Sequence, residues 1–295
     1  MEPPSNSGPS DVTIAVSRLA AVSAELGEGP TWHAERGEVI WTDILRGEVH
    51  ACDLLGVDRV EQRHDEPVGA VALTESGAVF VATPRGLCRA DGSLVAEIPI
   101  EADDLRMNDG KPDPRGRYVG GTMTLGDARQ GAGSLWSLDG VTVTRLIGEV
   151  TIPNGLAWSA EGTMLYWIDT PTGRVDCFDY DPASGSLTDR RIAVTIDPAL
   201  GSPDGMCIDS EGGLWVALWG GGAVRRYVDG VCVEIVEVGT PYVTCPAFVG
   251  SELDILVITT ASIEFDEPVS GAGDLYIADP GVVGPQPLRL GTWAE

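Results

Sequence analysis

The chain has 295 residues, 43% of them hydrophobic, and sets 19 Lys and Arg against 45 Asp and Glu for a net charge of −26. That length can bury a full core, as one large β domain or two ordinary ones, and that hydrophobic content excludes a disordered chain. So acidic a surface repels phosphate backbones and anionic lipid, which argues against nucleic-acid and membrane-surface roles.

Residues 1–10 carry neither a basic segment nor an apolar run, which predicts a disordered tail rather than a signal peptide. No apolar stretch approaches the ~18 residues of a membrane-spanning helix. The six cysteines form no C-x-x-C pair, and several sit inside apolar patterns, as buried free thiols do. These features together predict a cytoplasmic protein.

Residues 12–20 alternate apolar and polar at their start, the pattern of a half-exposed strand. Beyond them a unit recurs: a short turn ending in glycine, an apolar strand, a glycine-containing turn, and a second strand. The first-turn glycines are Gly37, Gly77, Gly116, Gly162 and Gly212, separated by 40, 39, 46 and 50 residues. A sixth, degenerate unit has Leu253 in that place. A four-stranded propeller blade takes roughly 40–50 residues. The sequence therefore predicts an all-β, six-bladed β-propeller forming one domain over residues 11–295. Residues 12–20 are expected to close the ring by pairing into the last blade, which removes an open sheet edge.

The segments just before the units read as loops around the central channel, where propellers place ligands. One holds Glu28 between Gly27 and Gly29. Another holds Arg106 and Asn108, together with Lys111, the one lysine of the chain. A third has Asn154 before Gly155, and a fourth has Asp204 before Gly205. Equivalent points on successive blades converge on one axis, so Glu28, Asn108, Asn154 and Asp204 can meet although they are distant in sequence. Carboxylate and amide oxygens suit a hard divalent cation such as Ca²⁺, Mg²⁺ or Mn²⁺, and carboxylates also bind Zn²⁺. Glu28, Asn154 and Asp204 would supply three ligands and leave positions for water and substrate. Each residue alone reads equally well as a turn former, since Asn-Gly and Asp-Gly pairs occur throughout β proteins. The three histidines, His33, His50 and His64, fall outside these segments. There is no nucleophile elbow, P-loop or dinucleotide fingerprint.

These segments closely resemble the SMP-30/gluconolactonase family, which includes regucalcin and bacterial sugar lactonases. The matching pieces are Leu-Gly-Glu-Gly-Pro-Thr-Trp (26–32), Asn-Asp-Gly-Lys-Pro-Asp-Pro-Arg-Gly-Arg (108–117) with Gly-Thr-Met (121–123), Pro-Asn-Gly-Leu-Ala-Trp-Ser (153–159), Pro-Asp-Gly-Met (203–206) with Gly-Gly-Leu-Trp-Val-Ala (212–217), and Thr-Cys-Pro-Ala-Phe (244–248). The resemblance implies a six-bladed propeller with one catalytic divalent cation, Ca²⁺ first among the candidates, held by Glu28, Asn154 and Asp204. It implies that Arg106 and Asn108 bind substrate oxygens and that Asp204 is also the general base. The implied reaction is hydrolysis of a small-molecule aldonolactone to its sugar acid, by a monomer or weak dimer. Two alternatives stand beside it: hydrolysis of another ester or phosphotriester at the same site, and a non-catalytic calcium-binding propeller. After Gly-Thr-Met the chain departs from the animal regucalcins. Thr124-Leu-Gly-Asp127 follows, with Asp127 its one acid, and this loop is expected to line the pocket and bear on the preferred sugar.

Overall fold

The structure is a computed structural model that describes residues 12–99, 104–263, 265 and 267–294. The predicted tail, residues 1–10, lies outside them. Two strands, β1 (Val12–Ile14) and β2 (Val16–Ala20), precede the first complete blade. Blade one is β3 (Gly27–His33), β4 (Glu38–Asp43), β5 (Glu48–Asp53) and β6 (Asp58–Arg63). Blade two is β7 (Ala70–Leu73), β8 (Val79–Thr83), β9 (Gly86–Arg89) and β10 (Leu94–Glu97). Blade three is β11 (Leu105–Pro112), β12 (Tyr118–Thr124), β13 (Gly133–Asp139) and β14 (Thr142–Val150). Blade four is β15 (Pro153–Trp158), β16 (Met164–Asp169), β17 (Arg174–Tyr180) and β18 (Leu187–Thr195). Blade five is β19 (Ser202–Ile208), β20 (Leu214–Trp219), β21 (Ala223–Val228) and β22 (Val231–Glu237). Blade six is β23 (Val243–Val249), β24 (Ile255–Thr260) and β25 (Leu275–Ala278), completed by β2. The six-bladed propeller expected from the repeat is the fold observed.

The recurring turns explain the recurring residues. In blades two, three and five the turn after the inner strand opens on Thr74, Asp113 or Asp209. Its side-chain oxygen accepts the amide four residues on: Ala78 at 3.1 Å, Arg117 at 2.9 Å and Gly213 at 2.9 Å. The glycine one residue earlier must then be left-handed, with φ of 83°, 80° and 85° at Gly77, Gly116 and Gly212. The degenerate sixth unit keeps this geometry without glycine, at Leu253 with φ 56°.

The core lies between the faces of neighbouring blades. Ile40 and Val49 of blade one pack with Val71 and Val81 of blade two, and Val119 and Leu135 of blade three with Leu156 and Trp167 of blade four. Blade six closes the ring as expected, because β2 pairs antiparallel with β25, Val16 opposite Ala278. The stretch 12–20 also divides in a way its pattern does not foretell. Its first part, β1, pairs parallel with β22 and becomes a fifth, outer strand of blade five.

One expectation is corrected. The segments read as channel loops are the inner strands themselves, β3, β11, β15, β19 and β23. Each carries a break in its pairing register at the same level: between Glu28 and Thr31, Met107 and Gly110, Asn154 and Leu156, Pro203 and Met206, and Val243 and Cys245. Their glycines reflect bulges and crowding rather than chain reversal. A Cβ at Gly155 would lie 2.9 Å from the Asp204 carbonyl oxygen, and one at Gly205 would lie 2.7 Å from that of Thr244.

Candidate active site at the channel axis

The candidate residues sit at or beside those register breaks, at one end of the channel. A β-bulge lifts a side chain out of the alternation of the pleat and re-aims it. Glu28, Arg106, Asn108, Asn154 and Asp204 are all buried, a costly placement for polar groups unless a partner or a task repays it.

Three of them are joined directly. The Arg106 guanidinium donates to the Asn108 Oδ1 at 2.7 Å and to the Met107 carbonyl at 3.0 Å. Asn108 Nδ2 donates to Asn154 Oδ1 at 2.9 Å and to the Pro153 carbonyl at 2.8 Å. Asn154 Nδ2 donates to Thr170 Oγ1 at 2.8 Å, and that hydroxyl donates to the Pro203 carbonyl at 2.8 Å. This chain of bonds spans blades three, four and five and ends next to Asp204.

Glu28 and Asp204 stand apart from it. Neither makes an ion pair among the described residues. Burial, and then the charge of Asp109, pushes the Glu28 carboxyl up to about 8. Burial, then Glu28 and Asp109, holds Asp204 well above the usual carboxylate range. Arg106 lies in the field of both, and burial pulls its guanidinium down to about 10 against their attraction. The two carboxylates therefore share a desolvated, mutually repulsive environment, the kind that marks functional sites. Among the described residues no group of three or more His, Cys, Asp or Glu is disposed to hold a metal. The candidate set has two carboxylates and an amide. Asn154 Oδ1 retains a second lone pair beyond its bond from Asn108. Two buried, unpaired carboxylates beside an amide oxygen fit the demand of a hard dication for oxygen donors and offset charge.

Four contributors escaped the sequence reading. Asp109, next to Asn108, is buried with its Oδ2 unpartnered. Asp43 and Asp169 end the second strands of blades one and four. Asp43 accepts the amides of Glu25 and Leu26 at 2.8 and 3.1 Å; Asp169 accepts those of Thr151 and Ile152 at 3.2 and 2.8 Å. Each tethers the chain just before an inner strand and so fixes where Glu28 or Asn154 begins. Their signal was available, since both follow Trp at the same spacing, in Trp41-Thr-Asp43 and Trp167-Ile-Asp169. Thr170 had no such signal.

Other groups lie elsewhere. His33 meets the Gly77 carbonyl at 3.0 Å, and His50 meets Asp58 at 2.8 Å. The loop bearing Asp127 is exposed and rises from the end of β12, where Met123 pairs with Arg106. At the same end of blade five, Trp219 stacks on Tyr242 at 4.2 Å and Tyr242 on Phe265 at 4.7 Å. All six cysteines are free, and no described helix is long and apolar enough to cross a membrane.

The fold and this cluster define a six-bladed propeller with a buried polar site at its axis. The chain belongs to the SMP-30/gluconolactonase/LRE-like family, whose sequence model matches residues 26–262. It is 34% identical over 275 residues to the pentonolactonase XacC of Haloferax volcanii, covering 90% of this chain and 91% of that one. It is 33% identical over 297 residues to Xenopus laevis regucalcin, covering 94% and 99%. A crystal structure of regucalcin from Agrobacterium tumefaciens, described as a calcium-binding protein, superposes with a TM-score of 0.87 at 30% identity, over 94% of this chain and 98% of that one.

Proposed function

We propose that this protein is a divalent-metal-dependent lactonase that opens an aldonolactone to its aldonic acid. The observation that carries the reading is the pair of buried carboxylates, Glu28 and Asp204, unpaired beside the oriented Arg106–Asn108–Asn154 chain. The pentonolactonase and the calcium-binding regucalcin among its relatives support the same substrate class and cation. Glu28, Asn154 and Asp204 would hold the cation, Ca²⁺ ahead of Zn²⁺, Mg²⁺ or Mn²⁺. When bound, the cation supplies Lewis-acid polarisation of the lactone carbonyl.

Arg106 donates hydrogen bonds to the substrate's oxygens, its guanidinium held in place by Met107 and Asn108. Asn108 orients a further oxygen and keeps the Asn154 amide turned toward the axis. Asp204 accepts a proton from the attacking water as the carbon–oxygen bond forms, and then returns it to the ring oxygen as the ester bond breaks. The new carboxylic acid ionises, so each turnover releases one proton to solvent. Six free thiols fit a reducing, cytoplasmic setting for this chemistry.

Acid release from a panel of pentono- and hexonolactones, read with a pH indicator, tests the reading. Turnover is expected to vanish with EDTA and return on adding metal. No EDTA-sensitive turnover on any lactone overturns it. Turnover of a phosphotriester in their place moves the activity to that ester class.

A further inference from the structure

The same inner strands that carry the axial site build a cavity toward their other ends. It encloses about 430 Å³, within the ~300–1,000 Å³ range of small-molecule pockets. None of Glu28, Arg106, Asn108, Asn154 and Asp204 lines it. Its lining begins just past the site residues and runs on along the same strands: Gly29 to Trp32 after Glu28, Leu156 to Trp158 after Asn154, Cys207 and Ile208 after Asp204. At ~3.3 Å per residue the far wall lies about 13 Å beyond the site residues, while Gly29 and Leu156 bring the near wall within two residues of Glu28 and Asn154. Leu73, Phe248 and Leu288 complete an apolar wall, with Leu288 coming from the segment after the last blade; the polar lining includes Ser159, the exposed rim residues Glu161, Ser210 and Gln286, and Asp209, whose oxygens are taken up within its own blade.

Lys111 also lines this cavity. Its ammonium donates to the carbonyls of Met206 at 2.6 Å and Leu156 at 3.1 Å, across two neighbouring inner strands. An ammonium has three donors, so one remains for a further acceptor. The charge of Lys111 is already felt by Asp109 and Glu28.

We propose that this cavity binds a neutral, mostly hydrocarbon molecule with a single carbonyl-type acceptor, seated on the remaining Lys111 N–H. The walls would penalise any ion. An anion must also approach a chain of net charge −26 and finds Lys111 already offset by carboxylates. A cation would meet Lys111 itself. One ammonium donor at the inner end of a mostly apolar chamber, with the other polar groups toward its rim, calls for one acceptor on an apolar body. The cavity is independent of the lactonase reading, since no residue of the axial site takes part in it.

Titration of the purified protein with the neutral, polarity-sensitive naphthyl ketone prodan tests the proposal. Saturable one-to-one binding with blue-shifted emission is expected. Ala247→Trp, which fills the chamber from β23, should weaken binding at least ~10-fold. Ser210→Trp on the exposed rim should obstruct it as well, and serves if Ala247→Trp melts early. Lys111→Met should weaken binding by about 3–10-fold, the worth of one hydrogen bond, and shift the emission further to the blue. Asp204→Ala should bind as the wild type does, and an aldonolactone should not displace the dye. The proposal is overturned by absence of saturable binding, by unchanged affinity in a folded tryptophan variant, or by displacement with lactone.

Discussion

Asp204 and Asp209 stand five residues apart, on and just after β19, and both are buried. Asp209 is saturated. It accepts the amides of Glu211 and Gly213 at 2.9 Å, the Trp215 indole at 2.8 Å and the Arg226 guanidinium at 2.7 Å. Asp204 has no ion pair, and Glu28 and Asp109 raise it further beyond the effect of burial. Two aspartates of one strand and turn are thus buried for opposite ends. Where the blade needs a stable turn, every carboxylate oxygen is given donors. At the channel, Glu28 and Asp204 are left with little beyond the neighbouring Gly29 and Gly205 amides and with no ion pair, and the fold carries the cost.

The sharpest way to break this contrast is to truncate each residue. Asp204→Ala should lower lactone turnover by about 10³-fold or more, yet leave the melting temperature unchanged or raised. Asp209→Ala should do the reverse. It leaves the Trp215 indole and two turn amides without their acceptor, leaves Arg226 only Glu211 and Glu234, and costs about 3 kcal/mol, read as a fall of roughly 6–10 °C in melting temperature. Turnover at 25 °C should stay within about twofold. Equal loss of stability in both variants would end the distinction.

A pH series sharpens it next. With metal chelated, the folded state favours protonated Glu28, whose carboxyl lies at about 8 against an ordinary 4.5. That stabilisation is complete below about 4.5 and declines as pH rises toward about 8. Melting curves in EDTA should therefore fall across that window by a few degrees, and added Ca²⁺ should flatten the slope. A flat EDTA profile would show that the carboxylates are balanced without a cation.

The smallest effect lies at the rim of blade one. Arg59 and then Arg36, opposed by burial, hold the Glu38 carboxyl down at about 2. Its stabilisation is present above about 4.5 and lost as pH falls toward 2. Arg59 is half exposed, so solvent screens the pair, and Glu38→Gln should cost less than about 1 kcal/mol in chemical denaturation.

The blade count was legible because each unit needs a left-handed turn residue, and glycine supplies it at nearly constant spacing. The candidate residues were legible for a related reason, since glycine flanks them wherever inner strands crowd the axis. The same glycines misled about local structure: a bulge and a turn demand similar residues, and only the pairing partner distinguishes them. The tethers Asp43 and Asp169 repeated visibly, but an aspartate at a strand end has many uses. Thr170 and the chamber around Lys111 depend on which strands meet across the ring, which no local pattern records. Nor does any pattern record that β1 leaves its neighbour to pair in parallel with blade five.

The position of β2 has a consequence for the birth of the molecule. Val16 finds its partner only at Ala278, so a strand made first must wait for one made near the end. Five blades can assemble behind the ribosome while the ring stays open and β2 keeps a bare edge. Such distant pairing is slow to form and prone to pairing with other chains meanwhile. Yield in the cell should thus depend on how quickly the last blade is delivered, whatever the stability of the finished ring.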